Sequence, residues 1–262
     1  MLGLPDRITA CLFDLDGVLT KTASVHDAAW KATFDAFLRE QAEQRGEPFV
    51  PFNSEGDYLA FVDGKPRLDG IRGFLASRGI ELADGDPADP PGTRTINGLG
   101  NDKTQLFDEE LDRHGVEVYP GSLRFVQAAR AHGMPCAVVS ASKHCRHVLA
   151  AAGIENLFDA RIDGLTAEAE NLAGKPAPDM FLAAARAIKR EPQECAVFED
   201  ALAGVAAARA GGFGWVVGVN RGDRDHAEQL RSYGADDVVN DLAELLDSSR
   251  ADAVSDPIAG KP

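Results

Sequence analysis

Residues 9–17 read TACLFDLDG, and this stretch decides the fold. A short apolar run, from Ala10 to Phe13, ends in two carboxylates and a glycine. This order of residues predicts a buried strand that runs directly into a turn. Asp14 and Asp16 stand one residue apart where the strand ends, so both side chains can leave the extended backbone and reach one site.

Further predicted strands follow from Tyr119 onward, where apolar runs alternate with amphipathic stretches. The runs are PCAVVS, FDARID, ECAVFED, FGWVVGV and ADDVVN, and the predicted helices cover 121–132, 143–152, 179–189 and 201–210, with one more after the last strand. Strands that alternate with helices indicate an α/β fold with a parallel, doubly wound, Rossmann-like sheet. We expect the strand before Asp14 to belong to this sheet.

The segment between Thr22 and Gly115 shows no strand pattern. Helical spacing of apolar residues predicts helices over about 25–44, 58–62, 68–77 and 103–114, and the Gly-, Pro- and Asp-rich segment 83–100 predicts a long surface loop. The simplest architecture is a core domain, 1–21 and 116–247, with a helical cap domain, 22–115, inserted after the first strand. The polar segment 248–262 predicts a disordered tail.

Composition narrows the classes of partner. The 262 residues carry a formal net charge of −15, which repels nucleic acid and anionic membranes. No apolar stretch is long enough to cross a bilayer, and the N-terminus lacks the features of a signal peptide. The four cysteines form no CxxC pair, which favours buried thiols in a reducing compartment. We therefore expect a cytoplasmic protein with neither a nucleic acid nor a membrane as partner.

Chemistry-bearing residues follow the predicted strands. In a doubly wound sheet, ligands bind beyond the carboxyl ends of the strands. The residues at those ends, or in the loops just after them, are Asp14, Asp16, Ser140, Lys175, Glu199 and Asp200. Several neighbouring carboxylates repel one another unless a cation lies between them, and oxygen ligands suit Mg²⁺. With no histidine or cysteine set beside them, zinc is disfavoured.

These residue types together suit phosphoryl transfer. One carboxylate can attack phosphorus, and a second can act as general acid and base. Ser140 with adjoining backbone amides can hold phosphate oxygens, and Lys175 can neutralise developing charge. Each feature also has a purely structural interpretation, as a turn, a helix cap or a solvated loop residue. Their joint occurrence at the ends of strands in one sheet favours the functional interpretation.

Four motifs carry a resemblance to a known family. FDLDGV (13–18), VVSAS (138–142), GKPAPD (174–179) and FEDALAG (198–204) resemble, in order, the motifs of the haloacid dehalogenase superfamily. Together they cover the whole predicted core domain. In that superfamily the second aspartate of the DxD motif marks phosphatases and mutases. The resemblance therefore implies phosphoryl transfer rather than dehalogenation.

A closer resemblance is to the beta-phosphoglucomutase family. It rests on DLDGVLTKTASVHDAAW (14–30), YPG (119–121), SASK (140–143) and GKPAPDMF (174–181). The resemblance implies that Asp14 is the phosphorylated nucleophile and Asp16 the acid and base. It further implies a Mg²⁺ site made by Asp14, the backbone oxygen of Asp16 and Asp200, with Glu199 at its edge.

The same resemblance assigns roles to cap residues. Thr22 would lie at the hinge, and His26 would couple cap closure to Asp16. Arg67 would bind a distal phosphate, and Lys103 would contact the sugar. The other implied substrate-binding residues are Ser140, Ala141, Ser142, Lys143 and Trp30, although the helical spacing of Trp30 also fits a core residue of the cap.

The sequence departs from the family at three places. His144 stands where well-known members carry Asn, Ala201 stands where Ser is familiar, and the cap is longer through 83–100. The longer cap leaves the alignment of Lys103 open. These departures concern sugar specificity and leave the phosphoryl chemistry intact.

Three functions remain to be compared. A mutase would interconvert β-D-glucose 1-phosphate and glucose 6-phosphate through a sugar 1,6-bisphosphate, and it needs a second anion site, for which Arg67 and Lys143 are candidates. A sugar-phosphate phosphatase would share the first half-reaction and use water as acceptor. A non-catalytic phosphate-binding regulatory module would be expected to lack Asp14, Asp16 or Lys175, and all three are present. We expect the mutase function, and we expect the protein to be a monomer or a weak homo-oligomer.

Overall fold

The computed structural model describes residues 2–222 and 224–247. It divides into two compact units, which we describe separately. The sheet unit comprises Met1–Lys21 and the chain from Glu117 onward, and the helical unit comprises Thr22–Val116. The predicted disordered tail, 248–262, lies outside the described residues.

A six-stranded parallel sheet forms the centre of the described part of the sheet unit. Its strands are β1 (Ala10–Phe13), β2 (Cys136–Val139), β3 (Ala160–Ile162), β4 (Cys195–Glu199), β5 (Trp215–Val219) and β6 (Asp237–Val239), in the order β3-β2-β1-β4-β5-β6. The predicted doubly wound sheet is thus confirmed, with β1 at its centre. Because the strand order reverses beside β1, a ligand crevice is expected at the carboxyl ends of β1 and β4.

Helices complete both units. They are α1 (Ala23–Arg45), α2 (Arg67–Ser77) and α3 (Ile96–His114) in the helical unit, and α4 (Pro120–Ala131), α5 (Cys145–Ala151), α6 (Gly164–Ala169), α7 (Asp179–Ala187), α8 (Leu202–Ala210) and α9 (Arg224–Tyr233) in the sheet unit. None of the described helices is long and apolar enough to span a membrane.

Alternation along β1 explains how both faces of the sheet are covered. Ala10 and Leu12 belong to a buried cluster with residues of α7, α8 and α9. Phe13 points to the opposite face, because successive side chains of a strand alternate. There its ring stacks on Phe198 at 4.6 Å between centroids and meets Phe125 of α4 edge-on at 6.2 Å. The strand that precedes Asp14 is therefore held from both sides by packing.

The helical unit has its own aromatic core. Trp30 and Phe34 of α1 stack at 5.2 Å, and Phe34 also contacts Phe52 and Phe74 at 5.1 and 4.3 Å. Phe34, Phe52 and Phe74 are almost completely buried. Burial of such large rings away from the sheet gives this unit a hydrophobic core of its own.

The first difference from the sequence prediction concerns α3. This helix begins at Ile96, seven residues before the predicted start at Lys103. The Thr95 side chain accepts a hydrogen bond from the Gly98 N–H, which is an N-cap. Gly98 and Gly100 suggested a loop, but Gly98 is needed because a Cβ there would overlap the Thr93 carbonyl.

Other elements also differ from the prediction. Tyr58–Val62 forms a π-helical turn, and the predicted last helix is a 3₁₀ turn at Leu242–Leu246. Helices α6 and α9 were not predicted. The first has only six residues, and the second is strongly polar with Leu230 as its buried residue. Such segments give little apolar periodicity to detect.

The four cysteines are free and buried. Cys11 of β1 lies opposite Cys136 of β2 in the strand register. Burial raises the pKa of the Cys11 thiol well above its ordinary value, and so do the neighbouring thiols of Cys136 and Cys195. They therefore pack as small apolar side chains rather than as nucleophiles.

Replacing Phe125 by Ala tests the packing behind β1. Removal of a fully buried ring that touches Phe13 and Phe198 should lower the free energy of unfolding by about 3–5 kcal/mol. Urea unfolding followed by circular dichroism measures this loss. Tyr233→Ala is the control, because Tyr233 is 49% exposed and its loss should change stability by roughly 0.5 kcal/mol or less. Equal effects of the two substitutions would contradict the packing described.

Candidate active site

Asp14 is placed by the backbone pairing of β1 with β4. Its N–H donates to the Phe198 carbonyl at 3.0 Å, directly beyond the last paired residues of the two strands. The Asp14 side chain is buried, with 7% of the residue exposed. The carboxylate therefore lies at the expected crevice, with its backbone fixed by the sheet.

A tight turn follows Asp14 and carries Asp16. The Gly17 N–H donates to the Thr20 carbonyl at 2.8 Å, and the Leu15 carbonyl accepts from the Thr20 N–H at 3.0 Å. Gly17 has φ +86°, which is the left-handed region that favours glycine. A Cβ at Gly17 would also overlap the Asp200 carboxylate. Because Gly17 has no side chain, the carboxylate of Asp200, the residue after β4, can approach this turn.

Lys175 joins the carboxylates of two strands. It lies in the loop between α6 and α7, and its ammonium donates to both Asp14 Oδ1 and Glu199 Oε1. Only 2% of Lys175 is exposed, and its ammonium lies 5.2 Å from the ring centroid of Phe181. The structure thus brings three predicted residues, Asp14, Lys175 and Glu199, into direct contact.

Glu199 is held at the start of α8. Its second oxygen accepts from the Ala201 N–H at 2.9 Å. A Cβ at Gly204 would overlap the Glu199 carboxylate, so this side chain is seated against the first turn of the helix. Both oxygens of Glu199 have protein partners. The position of the Glu199 carboxylate therefore also determines where the Lys175 ammonium lies.

The charge of this cluster favours a bound cation. Single oxygens of Asp14, Glu199 and Asp200 all lie within 4.8 Å of one another. Burial, and then the neighbouring Glu199 and Asp16 carboxylates, raise the pKa of Asp14 above its ordinary value although Lys175 opposes them. Burial alone would lower the pKa of Lys175. The carboxylates of Asp14 and Glu199 together outweigh this effect and raise the pKa.

These oxygens fit a hard divalent cation. Lys175 supplies one positive charge to a group that contains Asp14, Glu199 and Asp200, so negative charge remains uncompensated. A hard divalent cation prefers carboxylate oxygens and water. The predicted ligation by the backbone oxygen of Asp16 is not part of this carboxylate grouping and stays a prediction.

The loop after β2 presents hydroxyl and amide groups to the same edge. Ser140 is buried, and its hydroxyl lies 3.4 Å from Asp16 Oδ2, to which it donates. The Ser142 N–H donates to Ser140 Oγ at 3.1 Å, and the His144 N–H donates to Ser142 Oγ at 3.1 Å. Lys143 is exposed and pairs with Glu168 of α6. The structure therefore places Ser140 beside Asp16, and gives Lys143 an acidic partner of its own.

In the helical unit, the structure brings His26, Trp30 and Lys103 together. Lys103 Nζ lies 2.5 Å from His26 Nδ1 and is 5% exposed. The same ammonium lies 5.3 Å from the Trp30 ring centroid and 4.6 Å from that of Phe107. The His26 ring stacks on Phe107 at 4.2 Å. A buried ammonium over aromatic faces is a cation–π arrangement.

Arg67 begins α2 and reaches α3. Its Nη1 donates to the Gly100 carbonyl at 2.8 Å and to the Thr104 hydroxyl. These bonds lie within one helical turn of Lys103 along α3. Arg67 therefore links two helices of this unit, whatever ligand it also binds. Thr22 is the first residue of the helical unit.

Four residues that shape the sheet-unit site were not among the predicted site residues, namely Gly17, Gly164, Glu168 and Gly204. Gly17 and Gly204 admit the Asp200 and Glu199 carboxylates, and Gly164 admits the Ala141 carbonyl. The Asp-Gly pair after an apolar run was a signal for a positive φ at Gly17. No local pattern signals Gly204, Gly164 or the Glu168 contact, because each depends on a partner that is distant in sequence.

Comparison with known proteins shows the family to which the chain belongs. A family model described as haloacid dehalogenase-like hydrolase matches residues 8–212. The chain therefore belongs to the haloacid dehalogenase-like hydrolases, an enzyme family. The match includes β1 to β4, the strands whose ends supply Asp14, Ser140 and Glu199.

Individual relatives show which members of this family the chain resembles. A Mycobacterium tuberculosis protein named beta-phosphoglucomutase is 55% identical over 247 residues, which cover 94% of each chain. A Bacillus subtilis protein of the same name is 29% identical over 236 residues, 90% of this chain and 91% of its own. The crystal structure of a beta-phosphoglucomutase from Clostridium difficile superposes with a TM-score of 0.71 over 94% of this chain and 96% of its own, at 23% identity. That last likeness establishes the fold alone.

Lys175→Met tests the buried ion cluster. Removing the ammonium leaves Asp14 and Glu199 buried without it, so in a chelator-containing buffer the free energy of unfolding should fall by about 3–5 kcal/mol. Adding Glu199→Gln should recover part of this loss, because one buried carboxylate then remains. Urea unfolding measures both variants.

The matched control is Lys21→Met. Lys21 pairs with Glu117 at 2.6 Å, but their side chains are 47% and 72% exposed. Its loss should lower the free energy of unfolding far less than the loss of Lys175, because water screens an exposed ion pair. A cost for Lys175→Met no larger than this would mean that the cluster does not hold the site together.

Proposed function

We propose that this protein is a beta-phosphoglucomutase, which interconverts β-D-glucose 1-phosphate and glucose 6-phosphate. The observation that carries this choice of reaction is the 55% identity over 94% of both chains with the mycobacterial protein of that name. The site geometry supports the chemistry, because a buried carboxylate, a lysine and an acidic cluster converge at the carboxyl end of β1.

Asp14 is the proposed nucleophile. Phosphorylated Asp14 first gives its phosphoryl group to a hydroxyl of the sugar phosphate, which forms the 1,6-bisphosphate. After the bisphosphate has reoriented, the Asp14 carboxylate attacks the phosphorus at its other end, and the bond from that phosphorus to the sugar oxygen breaks. Asp16 donates a proton to that oxygen as it leaves and takes it back in the reverse step. Ser140, 3.4 Å from Asp16, supports this assignment because it fixes the direction of the carboxylate.

Charge stabilisation falls to Lys175 and to a metal site. Lys175 is held against Asp14 and neutralises charge that develops on the transferring phosphoryl group. Asp14, Asp200 and the Asp16 backbone oxygen would hold Mg²⁺, with Glu199 at the edge, and the ion would supply charge neutralisation for the phosphate oxygens. The convergence of the Asp14, Glu199 and Asp200 oxygens supports this ligand set.

Phosphate binding would involve the loop after β2 and part of the helical unit. Ser140, Ala141 and Ser142 supply hydroxyl and amide donors, with Lys143 beside them. For the distal phosphate of a sugar 1,6-bisphosphate intermediate we propose Arg67, for the sugar Lys103 and Trp30, and for coupling cap closure to Asp16 His26. The support is that Lys103, His26 and Trp30 already form one cluster. Thr22 is the proposed hinge residue.

One assay separates mutase from phosphatase. The purified protein is incubated with Mg²⁺, β-glucose 1-phosphate and a trace of the 1,6-bisphosphate, and glucose 6-phosphate and free phosphate are measured together. The mutase gives glucose 6-phosphate with little phosphate, and excess chelator stops the reaction until Mg²⁺ is restored. Release of phosphate without glucose 6-phosphate would establish the phosphatase instead.

Asp14→Asn provides the companion prediction. The amide is a far weaker nucleophile, so turnover should be lost while circular dichroism stays unchanged. The control is Asp236→Asn, a carboxylate of the same unit that pairs with Arg209. Near-wild-type turnover of the Asp14 variant would refute the covalent mechanism.

Arg67→Ala tests the distal phosphate site. A charge-assisted bidentate contact is worth roughly 1.5–3 kcal/mol, so mutase turnover should fall about tenfold to hundredfold. Hydrolysis of a simple aryl phosphate, which has no distal phosphate, should fall much less. Arg67→Lys should restore part of the loss, because an ammonium cannot form the planar fork.

Two controls separate this role from the bonds of Arg67 to α3. Arg72→Ala removes an arginine of the same helix that pairs with Asp69 and Asp84. Thr104→Val removes only the hydroxyl that accepts from Arg67. If Thr104→Val reproduces the Arg67→Ala loss, or if both activities fall in parallel, Arg67 braces the helices and binds no phosphate.

A further inference from the structure

Arg221 makes three fixed contacts beside the site. It follows β5 by two residues, and its Nε donates to the Gly17 carbonyl at 2.5 Å. Its Nη1 donates to the Asn240 carbonyl at 2.8 Å. The guanidinium carbon lies 3.5 Å from the centroid of the Tyr119 ring, so the planar group stacks on the ring.

The Gly17 peptide lies between two acidic residues of the site. Gly17 directly follows Asp16, its carbonyl belongs to the peptide bond with Val18, and its Cα faces the Asp200 carboxylate so closely that a Cβ would overlap it. A rotation of the Gly17–Val18 peptide would shift the Gly17 Cα and, with it, the main chain that carries Asp16. The bond from Arg221 opposes that rotation.

The rest of the turn is held in a similar way. The Val18 carbonyl accepts from the Ser122 hydroxyl at 2.6 Å, and the Leu19 carbonyl accepts from the Tyr119 N–H at 2.9 Å. Tyr119 thus holds the turn through its N–H and supports Arg221 through its ring. Among these contacts, the one made by Arg221 lies nearest to Asp16.

We propose that Arg221 is a positioning residue for the acid–base step. It fixes the Gly17 carbonyl and, through the backbone of Gly17, the direction of the Asp16 carboxylate. This inference rests on the proposed function, which gives Asp16 the proton transfer. An arginine suits the task because its planar guanidinium can lie flat on a ring while its N–H groups donate to two carbonyls, whereas an ammonium has no flat face to stack.

The test uses leaving groups that differ in their need for a proton. A sugar alkoxide leaves only when it is protonated, whereas 4-nitrophenolate leaves without help. Arg221→Ala should therefore lower kcat for the sugar phosphate about tenfold to hundredfold, with little change in KM. Release of 4-nitrophenolate from 4-nitrophenyl phosphate in the first turnover should stay within about threefold of wild type.

A matched arginine provides the control. Arg209 also donates to a glycine carbonyl of the sheet unit, from its Nε to Gly234 at 2.9 Å, and pairs with Asp236 at 2.7 Å. Arg209→Ala should leave both activities near wild type. Arg221→Lys should recover part of the lost kcat, and Arg221→Gln, which keeps hydrogen-bond donors but carries no charge, should recover less.

Parallel loss of both activities in Arg221→Ala would overturn the proposal, and so would unchanged turnover of the sugar phosphate. If circular dichroism shows that Arg221→Ala is unfolded, the Lys and Gln variants carry the same comparison. Failure of the mutase assignment is a separate result. Wild-type protein would then release phosphate from the sugar phosphate, and the ratio of the two substrates would still report on Arg221.

Discussion

The ammonium of Lys175 lies between the carboxylates of Asp14 and Glu199, and all three side chains are almost completely buried. Removing such charges from water costs several kcal/mol per ion, and this cost is offset only when opposite charges meet in good geometry. The three residues come from β1, β4 and the loop before α7. The site therefore exists only when these parts of the sheet unit are correctly assembled, which ties its charge distribution to the fold.

Packing around this cluster shows what the ion contacts require of the backbone. Glu199 can reach Lys175 because Gly204 leaves room in the first turn of α8, and Asp200 can approach the turn after β1 because Gly17 has no side chain. Behind them, the aromatic rings of β1, β4 and α4 fill the opposite face of the sheet. The aromatic packing on one face of the sheet and the two glycines beside the site together hold the carboxylates close to one another, although their like charges repel.

The sequence was enough to predict the sheet and the strand-end residues, because buried parallel strands are short apolar runs and their carboxyl ends share one edge. The sequence was not enough to predict features that depend on contacts between residues far apart along the chain. The early start of α3 was hidden by glycines whose role depends on Thr93 and Thr95. The pairing of Lys143 with Glu168 crosses 25 residues and uses a helix too short to predict. The bonds of Arg67 to α3 likewise depend on a helix–helix contact that local periodicity does not encode.

Two buried lysines show how an acidic protein can handle an anionic substrate. With a formal net charge of −15, the chain as a whole repels phosphate, so attraction must come from local cations. Lys175 places its charge between two carboxylates, and under the proposed function it also neutralises charge on the transferring phosphoryl group. Lys103 lies over the Trp30 and Phe107 rings, and a cation–π contact lowers the cost of burial without cancelling the charge. Both ammonium groups are held where water is largely excluded, and there a cation acts on a nearby anion more strongly than it would at the surface.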